Sequence, residues 1–134
     1  MQNKNIPVHQ NPIETKDALG MNALVLAFIG DAFLTLFVRT DLATASSRKA
    51  GELHKRTSAV INARNQARIA DAVFPLLDDA EREVYMRGRN AKSKNTAKNA
   101  DVFVYKKATA LEAVLGFLYV TGRTDRIEEL MKPY

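Results

Sequence analysis

At 134 residues the chain is long enough for one domain with a sizeable core and too short for two. It contains no cysteine, which excludes a disulfide framework, a thiolate zinc site and a thiol nucleophile. Its net charge of +5 is unevenly laid out: residues 39–68 and 82–107 hold 15 of the 20 Lys/Arg but only 4 of the 15 Asp/Glu. Such segregation is the footprint of a polyanion partner, and because the few aromatics do not interleave with the basic residues, a duplex gripped by its backbone fits better than stacked single-stranded bases.

Taken in chain order, residues 1–17 read as a loose arm containing Pro7 and Pro12, without the apolar centre of a signal peptide. A long buried helix is expected from about Ala18 to Thr40. Thr44, Ser46 and Ser47 are cap candidates for a short basic helix, SSRKAGELHKR, carrying Arg48, Lys49, Lys55 and Arg56. Val60, Ala63, Ala67, Ala70 and Phe74 alternate three and four apart and predict a further helix, with Arg64 and Arg68 on its opposite face. Asp78 and Glu81 have capping-box spacing before DDAEREVYMRGR. Residues 88–100 are small, polar and basic and read as a mobile loop; over 87–99, Arg87, Arg89, Lys92, Lys94 and Lys98 occur with no acid among them. A second apolar helix follows around Glu112, with Gly122 as its stop and Thr124 as the cap of a last short helix. No segment alternates apolar and polar residues between turn signals, so the expected fold is all-α, in one domain. Neither apolar helix offers 18 uncharged residues, so no membrane span is expected and the cytoplasm is the expected location.

The two apolar helices each carry a single carboxylate. Asp31 is the only charge from Ala23 to Val38, and Glu112 the only one from Ala108 to Val120. An ionised carboxylate withdrawn from water costs several kcal/mol unless something pairs with it. Each acid also has small residues one turn away: Ala27 and Thr35 around Asp31, and Ala108, Thr109 and Gly116 around Glu112. Two such acids suit Mg²⁺, which keeps several waters and needs only one or two carboxylates plus phosphate oxygens. The structural alternative is that the small residues permit close helix packing and the acids bond to backbone or to a distant arginine. The six glycines form neither a dinucleotide fingerprint nor a P-loop, so no nucleotide cofactor is expected. His9 and His54 lie far from each other and from the acids in sequence, and no serine sits in a nucleophile elbow.

Four segments, FIGDAFL around Asp31, GELHKRTSAVINARNQA at 51–67, RGRNAKS at 87–93 and LEAVLGFLY at 111–119, together resemble the ribonuclease III domain over roughly Met21 to Val120. The RGRNAKS segment, and no double-stranded-RNA-binding domain after it, resemble the Mini-III branch. The resemblance implies an all-helical homodimer that cuts double-stranded RNA with Mg²⁺, leaves 5′-phosphate and 3′-hydroxyl ends, and matures the precursor of large-subunit ribosomal RNA. It places Asp31 and Glu112 as the catalytic metal ligands, the two basic clusters on the RNA, and residues 18–134 in the catalytic domain. Phe28, Phe33 and Phe37 on the first apolar helix are then expected to supply surplus apolar surface for the dimer. Where the full-length family has two further acids, this chain has Ala27 and Thr109. That thinning resembles the Mini-III branch, and it keeps a non-catalytic RNA-binding or ribosome-associated protein on the same fold as the alternative. A helical nucleotide pyrophosphohydrolase is weaker, since such enzymes show glutamate clusters at helical spacing. Asp101 is expected as a helper of the metal site, a helix cap or a partner of Lys106.

Overall fold

The computed structural model describes residues 6–45, 47–92, 101–132 and 134. Among them there is no strand. Seven α-helices follow in order: α1 (Thr15–Leu19), α2 (Ala23–Ala45), α3 (Ala50–Val60), α4 (Ala63–Val73), α5 (Asp79–Asn90), α6 (Val102–Val120) and α7 (Thr124–Leu130), with a 3₁₀ turn at Phe74–Leu76 after α4. The all-α expectation holds.

α6 is the axle of the fold. Its middle, from Ala110 to Leu118, is buried except at Glu112, because α2, α5 and α4 pack around it. Glycines set how close those helices come. A Cβ on Gly30 of α2 would stand 1.7 Å from the Glu112 carbonyl oxygen, and one on Gly116 of α6 would stand 1.9 Å from the Leu26 carbonyl oxygen. The two backbones therefore touch at their crossing, which only glycine permits. α6 ends in a Schellman motif: Gly122, at φ +72°, donates to Tyr119 O and Arg123 to Leu118 O.

The expected long helix from Ala18 to Thr40 is broken at Gly20–Asn22, where the Asn22 side chain accepts from Leu24 N–H at 2.8 Å and starts a new helix. α2 then runs on to Ala45. Thr44 consequently caps nothing; its hydroxyl bonds back to Thr40 O at 2.7 Å, and α3 begins after Lys49 without a side-chain cap. Ser46 lies outside the described residues. Thr124 likewise opens α7 as its first residue without capping it. The Asp78–Glu81 capping box is present in both directions.

The N-terminal arm from Ile6 onward is docked rather than loose. Ile6 is buried, His9 stacks on Tyr119 with ring centroids 5.4 Å apart, and Ile13 N–H donates to Val120 O at 2.9 Å. Phe33 and Phe37 belong to the core, so they are not spare dimer surface; only Phe28 of the three is exposed, at 79%. By length and composition α2 is apolar enough to cross a membrane, which the count of uncharged residues missed. Its packing explains that apolarity, since one side forms the core against α6 and the other carries exposed Val25, Phe28 and Leu36.

Candidate active site

The glycine crossing puts the two acids side by side. Asp31 follows Gly30 on α2, and Glu112 lies one turn before Gly116 on α6, so backbone contact at the crossing carries both carboxyl groups to one edge of it. They come within hydrogen-bonding reach of each other. The small neighbours are accounted for by this close approach: Ala27 and Gly116 are buried between the helices. The acids are thus not both buried and alone, as their apolar surroundings in sequence suggest. Asp31 is exposed at the rim of the α2–α6 contact, and Glu112 is half-buried.

Gln66 completes the group. It is 5% exposed on α4, and its amide Nε2 donates to Glu112 Oε2 at 3.2 Å. Burial above all, then the neighbouring Asp31 charge and the hydrogen bond with Asp31, push Glu112 up to about 8; the Gln66 amide opposes this. A carboxyl raised that far favours keeping its proton at neutral pH, beside the Asp31 side chain. That is the arrangement a cation displaces, because its positive charge removes the reason for the proton to stay. Among the described residues no cluster of three or more acids or histidines exists. Two carboxylates opening onto solvent nonetheless fit Mg²⁺, which takes its remaining oxygens from water and phosphate. Gln66 was missed in the sequence, although its polar side chain three residues after Ala63 and four before Ala70 interrupts the apolar stripe of α4.

The basic residues divide by what already holds them. Arg48, just before α3, and Arg56 within it bracket Glu52 at 3.8 and 3.6 Å, leaving Lys49 and Lys55 exposed beside them. Arg87 is committed to the fold: its guanidinium donates to Leu19 O at 2.6 Å and pairs with Glu83, fastening α5 to the end of α1. Arg89 reaches the Asn90 side chain at 3.3 Å, and Lys92 is exposed. Lys94 and Lys98 lie outside the described residues. Asp101 precedes α6 but gives it no side-chain cap, and it is exposed. His54 lines a cavity of about 180 Å³ with Arg39, Ala43, Ala50, Leu53 and Thr57, away from the acids along α2.

The chain is a helical domain whose central crossing brings an acid from α2 beside one from α6, and comparison with known proteins shows the class to which such a fold belongs here. The ribonuclease III domain family matches residues 24–123. The chain is 42% identical to the Mini-ribonuclease 3 of Brevibacillus brevis, covering 88% of each chain. It is 40% identical to that of Staphylococcus aureus, covering 83% of this chain and 84% of the relative. A crystal structure of a Fusobacterium nucleatum protein superposes with a TM-score of 0.75 at 30% identity, covering 82% of this chain and 89% of that one. The chain belongs to the ribonuclease III family, in its Mini-ribonuclease 3 branch, and is an endoribonuclease.

Proposed function

We propose that this endoribonuclease cuts double-stranded RNA as a two-fold homodimer, with Mg²⁺ held between Asp31 and Glu112 of each subunit, and that its substrate in the cytoplasm is the precursor of large-subunit ribosomal RNA. The observation that carries the site assignment is the approach of two acids 81 positions apart in sequence to hydrogen-bonding reach, where burial and the Asp31 charge push the Glu112 carboxyl up to about 8. When bound, the cation supplies Lewis-acid activation of the scissile phosphate and of the attacking water. Asp31 and Glu112 would hold it, and the Gln66 amide, which donates to Glu112 Oε2, would fix the orientation of that carboxylate. Hydrolysis then leaves a 5′-phosphate and a 3′-hydroxyl, and no side chain acts as nucleophile.

Support for the dimer comes from α2. Val25, Phe28, Ala32 and Leu36, at three- and four-residue spacing, form an exposed stripe on the side turned away from α6. Asp31 lies between that stripe and the core face, so a symmetric pair joined along α2 brings its two acid sites near one seam. Two sites are what cutting both strands of a duplex requires. The basic residues just before and within α3 (Arg48, Lys49, Lys55 and Arg56), with Arg89, Lys92, Lys94 and Lys98, then take the phosphates. Arg87 is better assigned to holding α5 in place. The non-catalytic alternative gains nothing from the geometry, since the acid pair is intact.

The deciding experiment incubates the protein with duplex RNA with and without Mg²⁺, alongside Asp31→Asn and Glu112→Gln. Cleavage confined to wild type with Mg²⁺ is expected; cleavage by either variant within a few-fold of wild type overturns the assignment. Sedimentation at micromolar concentration tests the dimer, and a fully active monomer contradicts it.

A further inference from the structure

Among the described residues three polar side chains are buried: Thr57, Gln66 and Glu81. Thr57 bonds to Leu53 O within its own helix, and Glu81 serves the cap of α5 and the ion pair with Arg126. Gln66 alone of the three reaches the acid site, where its Nε2–H donates to Glu112 Oε2 at 3.2 Å. A carboxylate only accepts, so the amide has to present its nitrogen there.

The donor is held from behind. Asn62 caps α4 by accepting from Asn65 N–H at 2.9 Å, Asn65 Nδ2 donates to Val60 O at 2.7 Å, and Gln66 N–H closes the first turn on Asn62 O at 2.9 Å. Ala67, Ile69 and Ala70 are buried on the same helix, which packs against α6. Backbone and side chain are thus both enclosed, and a buried amide N–H that loses its acceptor is costly. The consequence falls on Glu112. Its Oε2 is tied to α4, whereas Asp31 comes from α2. For both oxygens of Glu112 to close on an ion beside Asp31, the carboxylate has to turn and give up the Gln66 bond.

Cations differ in whether they ask for this. Ca²⁺ takes more oxygens than Mg²⁺ and often both from one carboxylate, whereas Mg²⁺ demands near-octahedral geometry and fills it with water. Resting on the reading of Asp31 and Glu112 as the cation site, we propose that Gln66 is a specificity-determining residue: by holding Oε2 it leaves Glu112 one oxygen for the cation, and so selects Mg²⁺ against Ca²⁺. The amide sets which ion the two acids take, without being a ligand itself.

The test compares wild type with Gln66→Met, which keeps the length of the side chain and removes the amide, and with Gln66→Asn, whose amide is too short to reach. Mn²⁺ binding without RNA is followed by electron paramagnetic resonance, and its displacement by Mg²⁺ and by Ca²⁺ gives the two affinities. In both variants the preference for Mg²⁺ over Ca²⁺ is expected to fall by about tenfold, the scale of one hydrogen bond to a charged group. Infrared difference spectra of the Ca²⁺ complexes are expected to show the two carboxylate stretching bands drawn together in the variants, as two-oxygen ligation requires, and further apart in wild type. A preference equal to that of wild type overturns the proposal, including when both affinities fall together, which marks a merely structural role. A two-oxygen signature in the wild-type Ca²⁺ complex overturns it as well, whether or not either variant folds. Glu112→Gln, run in parallel, separates the two levels: if it binds Mn²⁺ like wild type, the cation site itself is wrong and the role of Gln66 falls with it. If Glu112→Gln loses Mn²⁺ while the Gln66 variants keep the wild-type preference, only the role of Gln66 is refuted.

Discussion

Two glutamates withdrawn from water in this protein have opposite surroundings. Glu81 is completely buried, yet every demand of its charge is met. It closes the capping box of α5 through Asp78 N–H at 2.9 Å, and Arg126 grips both of its oxygens, at 2.9 and 2.8 Å. Arg126 also donates to Leu76 O and pairs with Glu129, and the two glutamates raise its own pKa. Glu112 is less deeply placed, but its neighbours are a second acid and a neutral amide, and it keeps its proton. Depth alone therefore does not make a carboxylate reactive. What distinguishes the two is whether the fold itself provides the counter-charge or leaves that place to a ligand.

The largest effect that bears on this difference is expected at the acid pair. Asp31→Asn and Glu112→Gln should each lower the rate of duplex cleavage by about 10³-fold or more, on the scale of losing a group that stabilises transition-state charge, while circular dichroism and RNA binding stay close to wild type. At the other glutamate the effect should fall on stability. Arg126→Ala leaves Glu81 buried without its cation and should cost about 3–5 kcal/mol in denaturant unfolding, as when one member of a buried pair is removed. Glu112→Gln should be neutral or stabilising. If both variants destabilise alike, the two carboxylates are equivalent and the comparison fails.

Acidity sharpens the same contrast. Glu112 binds its proton more tightly in the folded chain than its ordinary value of 4.5 allows, so its contribution to stability is fully present below pH 4.5 and is lost as pH rises toward about 8. Thermal unfolding of metal-free protein should show this decline, and Glu112→Gln should remove it. Mg²⁺ must displace that proton, so its affinity should climb with pH, by up to about tenfold per unit, and level off near pH 8. A flat affinity profile from pH 6 to 8 would mean the carboxyl pair holds no proton.

The smallest effects concern the basic surface. Neutralising Lys49, Lys55, Arg89 and Lys92 together should weaken RNA binding and reduce the logarithmic salt slope by about one for each phosphate no longer neutralised, with Tm little changed. Arg87→Ala should do the reverse, lowering Tm with little change in salt slope, because its guanidinium is spent on Leu19 O and Glu83.

Much of this was legible in the residues. Helical periodicity, the Asp78–Glu81 spacing and Gly122 are local signals, and the elements they predict are present. Asp31 and Glu112 stood out because a lone charge in a long apolar run is visible without any knowledge of packing. Arg87 and Gln66 were not legible in the same way. Arg87 reads as one more cation in a basic run until the end of α1 arrives beside it, and Gln66 reads as a break in a stripe until Glu112 comes within 3.2 Å.

The sequence by itself determined that the chain is helical, that two acids stand alone on its apolar segments, and that its cations are segregated, because each of these depends on residues within a few turns of one another. Only the tertiary structure decided that the acids meet, that Phe33 and Phe37 turn inward while Phe28 stays out, and that the N-terminal arm lies against α6. Those outcomes depend on which face of α2 is pressed onto α6. That choice is made at Gly30 and Gly116, where the absence of two side chains lets backbones touch across 86 positions of chain.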